Sequence, residues 1–226
     1  MPSPSSRSPH AIRCYHSFMI QKVIPVGALQ CNCSILGDET THEAMVVDPG
    51  DDIEMVLQEL GEHGLKVKQI VLTHAHIDHV GGAMKLKRLT GAPLLLNSHD
   101  RALLEMLPTQ ASWLGIEPPE KVVIDQDLED GAQLQTGSIS ATVIHTPGHS
   151  EGSVCLYLKA QQKLIAGDTL FMGSVGRTDL PGGSYEKLMQ SLHERVLTLP
   201  DDTEVIPGHG PITYIGVERE SNPFLK

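Results

Sequence analysis

Between Thr73 and His79 the chain reads Thr73-His74-Ala75-His76-Ile77-Asp78-His79, placing three imidazoles and a carboxylate side by side. Neutral imidazole and carboxylate are the ligands that zinc, iron and manganese favour. The stretch follows the apolar run Gln69-Ile70-Val71-Leu72. At such a strand end, side chains alternate with period two, which puts His74 and His76 on one side. Asp78 and His79 fall on the turn beyond and face a second point. Four such groups exceed the needs of one open catalytic ion and suit one half of a two-metal site. Gly81-Gly82 then lets the backbone come close to its surroundings before the next helix.

Three more strand ends carry metal-compatible side chains. His149 lies in Thr146-Pro147-Gly148-His149-Ser150, Asp168 in Ala166-Gly167-Asp168-Thr169, and His209 in Ile206-Pro207-Gly208-His209-Gly210-Pro211. Each has a glycine directly before it, tolerant of the tight backbone that aims a loop side chain inward. Two dications about 3.5–4 Å apart can share a hydroxide, lowering the pKa of water from about 16 to near 7. That drop is worth on the order of 12 kcal/mol of proton affinity. The bridging hydroxide is a nucleophile at neutral pH that needs no Ser or Cys triad. A thiolate leaving group, with a pKa near ~8.5, departs without a general acid, whereas an amide nitrogen does not. No further carboxylate or tyrosine is placed as a proton donor, which favours thioester or lactone cleavage over peptide cleavage.

With these elements in order, the chain from about Met19 onward resembles the metallo-β-lactamase superfamily. Within it, the likeness is to glyoxalase II-type thioester hydrolases of the short bacterial kind that lacks a C-terminal helical domain. The tail Ile215-Gly216-Val217-Glu218-Arg219-Glu220-Ser221-Asn222-Pro223-Phe224 is similar to that subgroup as well. The resemblance implies an αββα sandwich with a binuclear site. It assigns His74, His76 and His149 to one metal, Asp78, His79 and His209 to the other, and Asp168 to the bridge. Asp78 and Asp168 are thereby the candidate catalytic carboxylates. The implied ions are two divalent metals, zinc first, with iron or manganese as alternatives. Glyoxalase II-type enzymes bind glutathione partly through a basic residue after the bridging Asp, and Arg177 stands there as the substrate-binding candidate. Pro211 occupies the place of their tyrosine. The implied substrate is a small acyl thioester, a glutathione conjugate being one form of it.

Two rival readings stand beside hydrolysis. A mononuclear iron persulfide dioxygenase of the same superfamily shares a segment like Gly176-Arg177-Thr178-Asp179, but the intact Pro-Gly-His-Gly element at His209 completes a second metal site. A non-catalytic metal-binding protein is the other. Of the remaining histidines, His10, His16, His42, His63, His99 and His193 read as surface groups and His145 as structural.

These ligands require strands to deliver them. Short strands are expected at Ile20 to Val26, Cys33 to Leu36, Ala44 to Val47, Gln69 to Leu72 and Pro93 to Leu96. A second series follows at Val122 to Ile124, Ala132 to Gln135, Ile139 to His145, Val154 to Leu158, Lys163 to Ala166 and Glu204 to Ile206. Helical spacing marks Ile53 to Leu60, capped by Asp51 or Asp52, Val80 to Leu89, and Tyr185 to Leu197. Leu103, Leu104 and Leu107 suggest a short helix, and Trp113 falls in a Pro-containing loop where packing is its expected role. Strands followed by helix in each half imply two sheets face to face with helices outside and the site at one end.

Composition bounds the rest. The 226 residues suit one large domain, here residues 19–226, after a Ser- and Pro-rich extension over residues 1–18 that reads as disordered, with Met19 as the natural start. No apolar run nears the ~20 residues of a membrane span. A net charge of −11 without a basic arm opposes nucleic-acid binding. The four cysteines form no disulfide or zinc-knuckle pattern, and Cys31 and Cys33 read as core residues in a reducing compartment. A cytoplasmic monomer or small homo-oligomer is the resulting expectation.

Overall fold

The computed structural model describes residues 19–226, so the expectation for the N-terminal extension lies outside the described residues. One sheet runs in sequence order through β1 (Met19–Val26), β2 (Cys31–Asp38), β3 (Glu43–Val47), β4 (Lys66–Val71), β5 (Leu94–Leu96) and β6 (Gln126–Asp127). Its first three strands are antiparallel, and β3 to β6 pair in parallel. The other sheet contains β7 (Gln133–Thr136), β8 (Ile139–His145), β9 (Val154–Leu158), β10 (Lys163–Gly167), β13 (Glu204–Pro207) and β14 (Thr213–Tyr214), in the order β14-β13-β10-β9-β8-β7. Between β10 and β13 a small hairpin, β11 (Leu170–Phe171) and β12 (Ser174–Val175), is inserted.

Why four layers form can be read from neighbouring residues on each strand. Ile35, Val46, Ile70 and Leu94 face a core shared with helices α1 (Ile53–Glu62), α3 (Ala83–Thr90), α4 (Arg101–Glu105) and α5 (Leu107–Leu114). Their successors Leu36, Val47, Val71 and Leu95 face Val143, Leu156, Ile165 and Ile206 across the gap between the sheets. On those second-sheet strands, Ile144, Cys155, Leu164 and Val205 point outward against α6 (Tyr185–Ser191), its continuation as a wider π-turn over Leu192–Val196, and α7 (Ile215–Ser221). Strands apolar on both faces cannot border water on either. The αββα sandwich is therefore the arrangement that the double-sided pattern demands.

Several elements differ from expectation for local reasons. Val122 to Ile124 is not a strand. Lys87 Nζ donates to the Val123 carbonyl, and the pairing with β5 is made by Gln126–Asp127 instead. Trp113 lies in α5 rather than in a loop, because Pro108 occupies the first turn, where a missing N–H costs nothing. The expected helix from Val80 is split into a single turn, α2 (Ile77–Val80), and α3, with Gly81-Gly82 between them. The loop after β3 explains the break. A Cβ on Gly50 would sit 1.6 Å from the Asp78 carbonyl oxygen, and one on Gly82 would sit 2.6 Å from that of Pro49. Asp52 precedes α1 without capping it, its carboxylate accepting instead from the Gly27 N–H at 2.8 Å.

Candidate metal centre

All the strand ends named above reach one end of the sandwich. His74 and His76 converge, but from the loop after β4 rather than as alternating strand residues, and His76 precedes α2, which carries Asp78 and His79. His149 follows β8, Asp168 follows β10 and His209 follows β13. In one cluster His74 Nε2 lies 3.0 Å from His76 Nδ1, and His149 Nε2 lies 3.2 Å and 2.8 Å from the same two atoms. In the other, His209 Nε2 lies 3.1 Å from Asp78 Oδ2, and His79 Nε2 lies 3.7 Å from that oxygen. Asp168 stands between them. Its Oδ1 is 3.5 Å from His79 Nε2, and its Oδ2 is 3.6 Å from His149 Nε2 and 3.8 Å from His209 Nε2.

Protons held by outer partners decide which lone pairs face inward. His79 Nδ1 donates to Asp48 Oδ2 at 2.9 Å, His149 Nδ1 to the Arg177 carbonyl at 2.8 Å, and His209 Nδ1 to the Leu29 carbonyl at 3.0 Å. Thr73 Oγ1 gives its own proton to Asp48 Oδ2 at 2.6 Å and accepts from His74 Nδ1 at 3.1 Å. The inward nitrogens of His74 and His149 are therefore both bare acceptors, 3.2 Å apart. Facing lone pairs repel, and a cation between them removes the repulsion. His79 Nε2 and Asp168 Oδ1 are likewise buried with no hydrogen-bond partner. Such orphans are costly unless a further group satisfies them. The donor set fits cations.

The electrostatics differ between the halves. Burial lowers the proton affinity of His74 well below the ordinary histidine value, with the surrounding imidazoles adding to it. Burial and the adjacent His149 bring His76 down to about 3. Around the second cluster, burial opposes a charge on His79, but the carboxylates of Asp168, Asp48 and Asp78 together raise its affinity well above ordinary. Burial likewise opposes a charge on His209, and its hydrogen bond to Asp78 and the field of Asp168 raise it. Burial would raise the Asp78 carboxyl, yet His79 and the His209 hydrogen bond hold it below the usual carboxylate range. One pocket of neutral nitrogen donors thus adjoins one that attracts positive charge.

The profile of the metallo-beta-lactamase superfamily matches residues 26–209, which span every one of these side chains. The chain belongs to the metallo-beta-lactamase superfamily. Among its relatives is the hydroxyacylglutathione hydrolase GloC of Haemophilus influenzae, 39% identical over 206 residues that cover 90% of this chain and 97% of that protein. Among solved structures, the BLEG-1 B3 metallo-beta-lactamase superposes with a TM-score of 0.86 at 38% identity, covering 92% of this chain and 100% of that one. TTHA1623 in a di-iron-bound form superposes with a TM-score of 0.83 at 40% identity, covering 90% and 100%.

In this superfamily member, several supporting residues lie outside the motifs. Asp48, in a left-handed conformation at the end of β3, accepts from the Thr73 N–H at 2.7 Å as well as from the Thr73 hydroxyl and His79. The signal was present in Asp48-Pro49-Gly50, an acid at a strand end like Asp168, but that triplet also reads as a simple strand terminator. Asp100 is buried and joins the loops that carry His76 and His149, accepting from Ala75 N at 2.9 Å, Ser150 Oγ at 2.8 Å and Gly152 N at 2.6 Å. Gln110 caps α2 through its Oε1, and Asn32 donates to the Pro207 and Gly210 carbonyls on either side of His209. Cys31 is buried as expected, and its sulfur also lies 3.4 Å from His79 Nδ1. Burial pushes that thiol up to about 11, which leaves it uncharged.

Arg177 lines the cleft over the cluster, but its guanidinium is already paired bidentately with Asp179 at 2.8 Å and 2.7 Å. Trp113, expected to pack, is 56% exposed and lines the same cleft. His145 lies apart from the cluster, donating to the Glu151 carbonyl and stacking on His99. Cys31, Cys33 and Cys155 are free and buried. Among the described residues no helix is long and apolar enough to cross a membrane.

Proposed function

We propose that the protein is a binuclear metal-dependent hydrolase that cleaves a small acyl thioester. The observation that carries this reading is the pair of adjoining clusters with Asp168 between them. His74, His76 and His149 would hold one divalent cation, Asp78, His79 and His209 the other, and Asp168 would touch both. Two cations so held supply a nucleophilic water at neutral pH and Lewis acidity toward an acyl oxygen. Zinc suits the nitrogen-rich donor set, and iron or manganese suits it as well.

The chain's own groups supply positioning. Asp48 and the Arg177 carbonyl hold the His79 and His149 rings, Asp100 ties the His76 loop to the His149 loop, and Asn32 fixes the turn at His209. Among the described residues, no Ser, Thr, Cys, Lys or Tyr lines the cleft wall over the cluster. The described cleft lining therefore offers no hydroxyl, thiol or amine nucleophile, which supports water as the attacking group. It also offers no strong general acid for a poor leaving group, which a thiolate does not need. In the overall step water oxygen bonds to the acyl carbon and the C–S bond breaks with its electron pair leaving on sulfur; one water proton ends on the thiol and the other goes to solvent, leaving the carboxylate. Support for the thioester class also comes from the likeness to GloC.

The test is hydrolysis of S-lactoylglutathione and simple acyl thioesters by metal-reconstituted protein, with and without chelator, alongside metal analysis. About two ions per chain and chelator-sensitive turnover are expected. One iron per chain with oxygen uptake would favour oxidation instead, and two bound ions without turnover of any ester would point to a binding protein.

A further inference from the structure

The cleft over the metal centre does not end there. One lobe, of about 480 Å³, lies above His76, His149, Asp168 and His209 and is walled by Leu103, Trp113, Leu180 and Pro181. A second lobe, of about 370 Å³, is walled by Val26, Ala28, Ile116 and Pro119. Leu29, Ile77, Asp78 and Leu114 line both, so the lobes meet at a ligand carboxylate of the metal cluster. Leu29, Trp113, Leu114 and Ile116 are among the large apolar side chains that the fold leaves exposed. Four such residues gathered on one concave surface mark a binding site rather than scattered surface apolarity.

Charge completes the description. Among the described residues that line either lobe, the one cationic side chain besides the histidines is Arg177, whose Nε and Nη2 are engaged by Asp179. The second lobe adds Asp51 and Glu117, which disfavour anions. A glutathione arm carries two carboxylates, and the described lining away from the metal centre offers them one guanidinium, already shared with Asp179, against the carboxylates of Asp51 and Glu117.

Resting on the thioesterase reading, we infer that the two-lobed cleft selects thioesters whose acyl and thiol arms are both uncharged and largely apolar, one arm against Trp113 and the other across Leu29 and Leu114 toward Ile116. The carbonyl then lies at the junction beside Asp78. Trp113 and Ile116 act as specificity-determining residues, and a medium-chain acyl group on a short neutral thiol fits better than a glutathione conjugate.

Trp113 is the only tryptophan in the chain, so its emission reports ligand in the first lobe directly. The metal-loaded full chain is titrated with unreactive thioethers: S-butyl- and S-octyl-N-acetylcysteamine, and S-octylglutathione. Saturable blue shifts are expected, with affinity rising about three- to fourfold per added methylene. S-Octylglutathione should bind at least tenfold more weakly than its neutral counterpart. The Ile116→Glu variant should weaken the octyl compound about tenfold and leave the emission of the free protein unchanged. Equal or tighter binding of the glutathione thioether, or no response of Trp113, overturns the inference. A parallel turnover panel separates the two claims. Turnover that favours the glutathione thioester overturns the cleft assignment while hydrolysis stands. Tight neutral-thioether binding without turnover overturns hydrolysis while the ligand class stands.

Discussion

Replacing Asp48 by asparagine tests whether the proposed ligand set depends on a residue that would not itself hold an ion. In the native protein Asp48 Oδ1 accepts from Thr73 N at 2.7 Å, and Oδ2 accepts from the Thr73 hydroxyl at 2.6 Å and from His79 Nδ1 at 2.9 Å. Asparagine keeps its oxygen toward the Thr73 N–H, since the opposite orientation would set two donors against each other. Its amide nitrogen then faces His79 Nδ1 and can only donate to it. The ring must switch its proton to Nε2, the nitrogen beside Asp78 and Asp168. A protonated nitrogen cannot bind metal, so the second ion should weaken about 10- to 100-fold, as is usual when an outer partner of a ligating histidine is lost. That equals about 1.4–2.7 kcal/mol. Metal titration followed by elemental analysis should find one tightly held ion per chain instead of two, with thioester turnover falling in parallel. Circular dichroism should show the fold retained. Two ions bound with native affinity in Asp48→Asn would refute the proton-placement argument.

Other substitutions probe the remaining joints. Alanine at Asp168 or His76 should remove most metal and lower kcat/KM by at least about 10²-fold, and full activity in either would count against the ligand assignment. In Gly208→Ala the new methyl would sit 2.1 Å from Asp168 Oδ1 and 2.8 Å from His79 Cε1, so metal content should fall by more than that of a Gly61→Ala control, where a methyl meets nothing within 4 Å. Asp38 accepts from Thr40 N, Thr41 N and both the N–H and hydroxyl of Ser138, and these bonds, the Ser138 hydroxyl foremost, hold its carboxyl below the ordinary value. The unfolded chain therefore takes up that proton first. The stabilisation is complete above the unfolded value of about 3.9 and is lost as the pH falls below it toward the folded one. Denaturant midpoints measured from pH 7 to pH 2 should show Asp38→Asn less stable at pH 7 by about 2 kcal/mol. Its acid slope should also be shallower, and an unchanged slope would exclude Asp38 as a contributor.

The sequence by itself determined the superfamily, the double-sided strands and the candidate ligands. Each of these is written in neighbouring residues: Ile35 beside Leu36, His74 beside His76, a glycine directly before His149, Asp168 and His209. Tertiary structure decided which nitrogen of each histidine looks inward. That depends on Asp48, Thr73, Leu29 and the Arg177 carbonyl, three of which lie far along the chain from the rings that they orient. It also turned Trp113 from an expected packing residue into a cleft wall, because the direction of a helix face is set by what the helix packs against. Pairing of Asp127 rather than Val123 with β5, and the joining of the His76 and His149 loops through Asp100, were hidden for the same reason. A side chain's chemistry is local to its residue, but its partner is chosen by the folded chain.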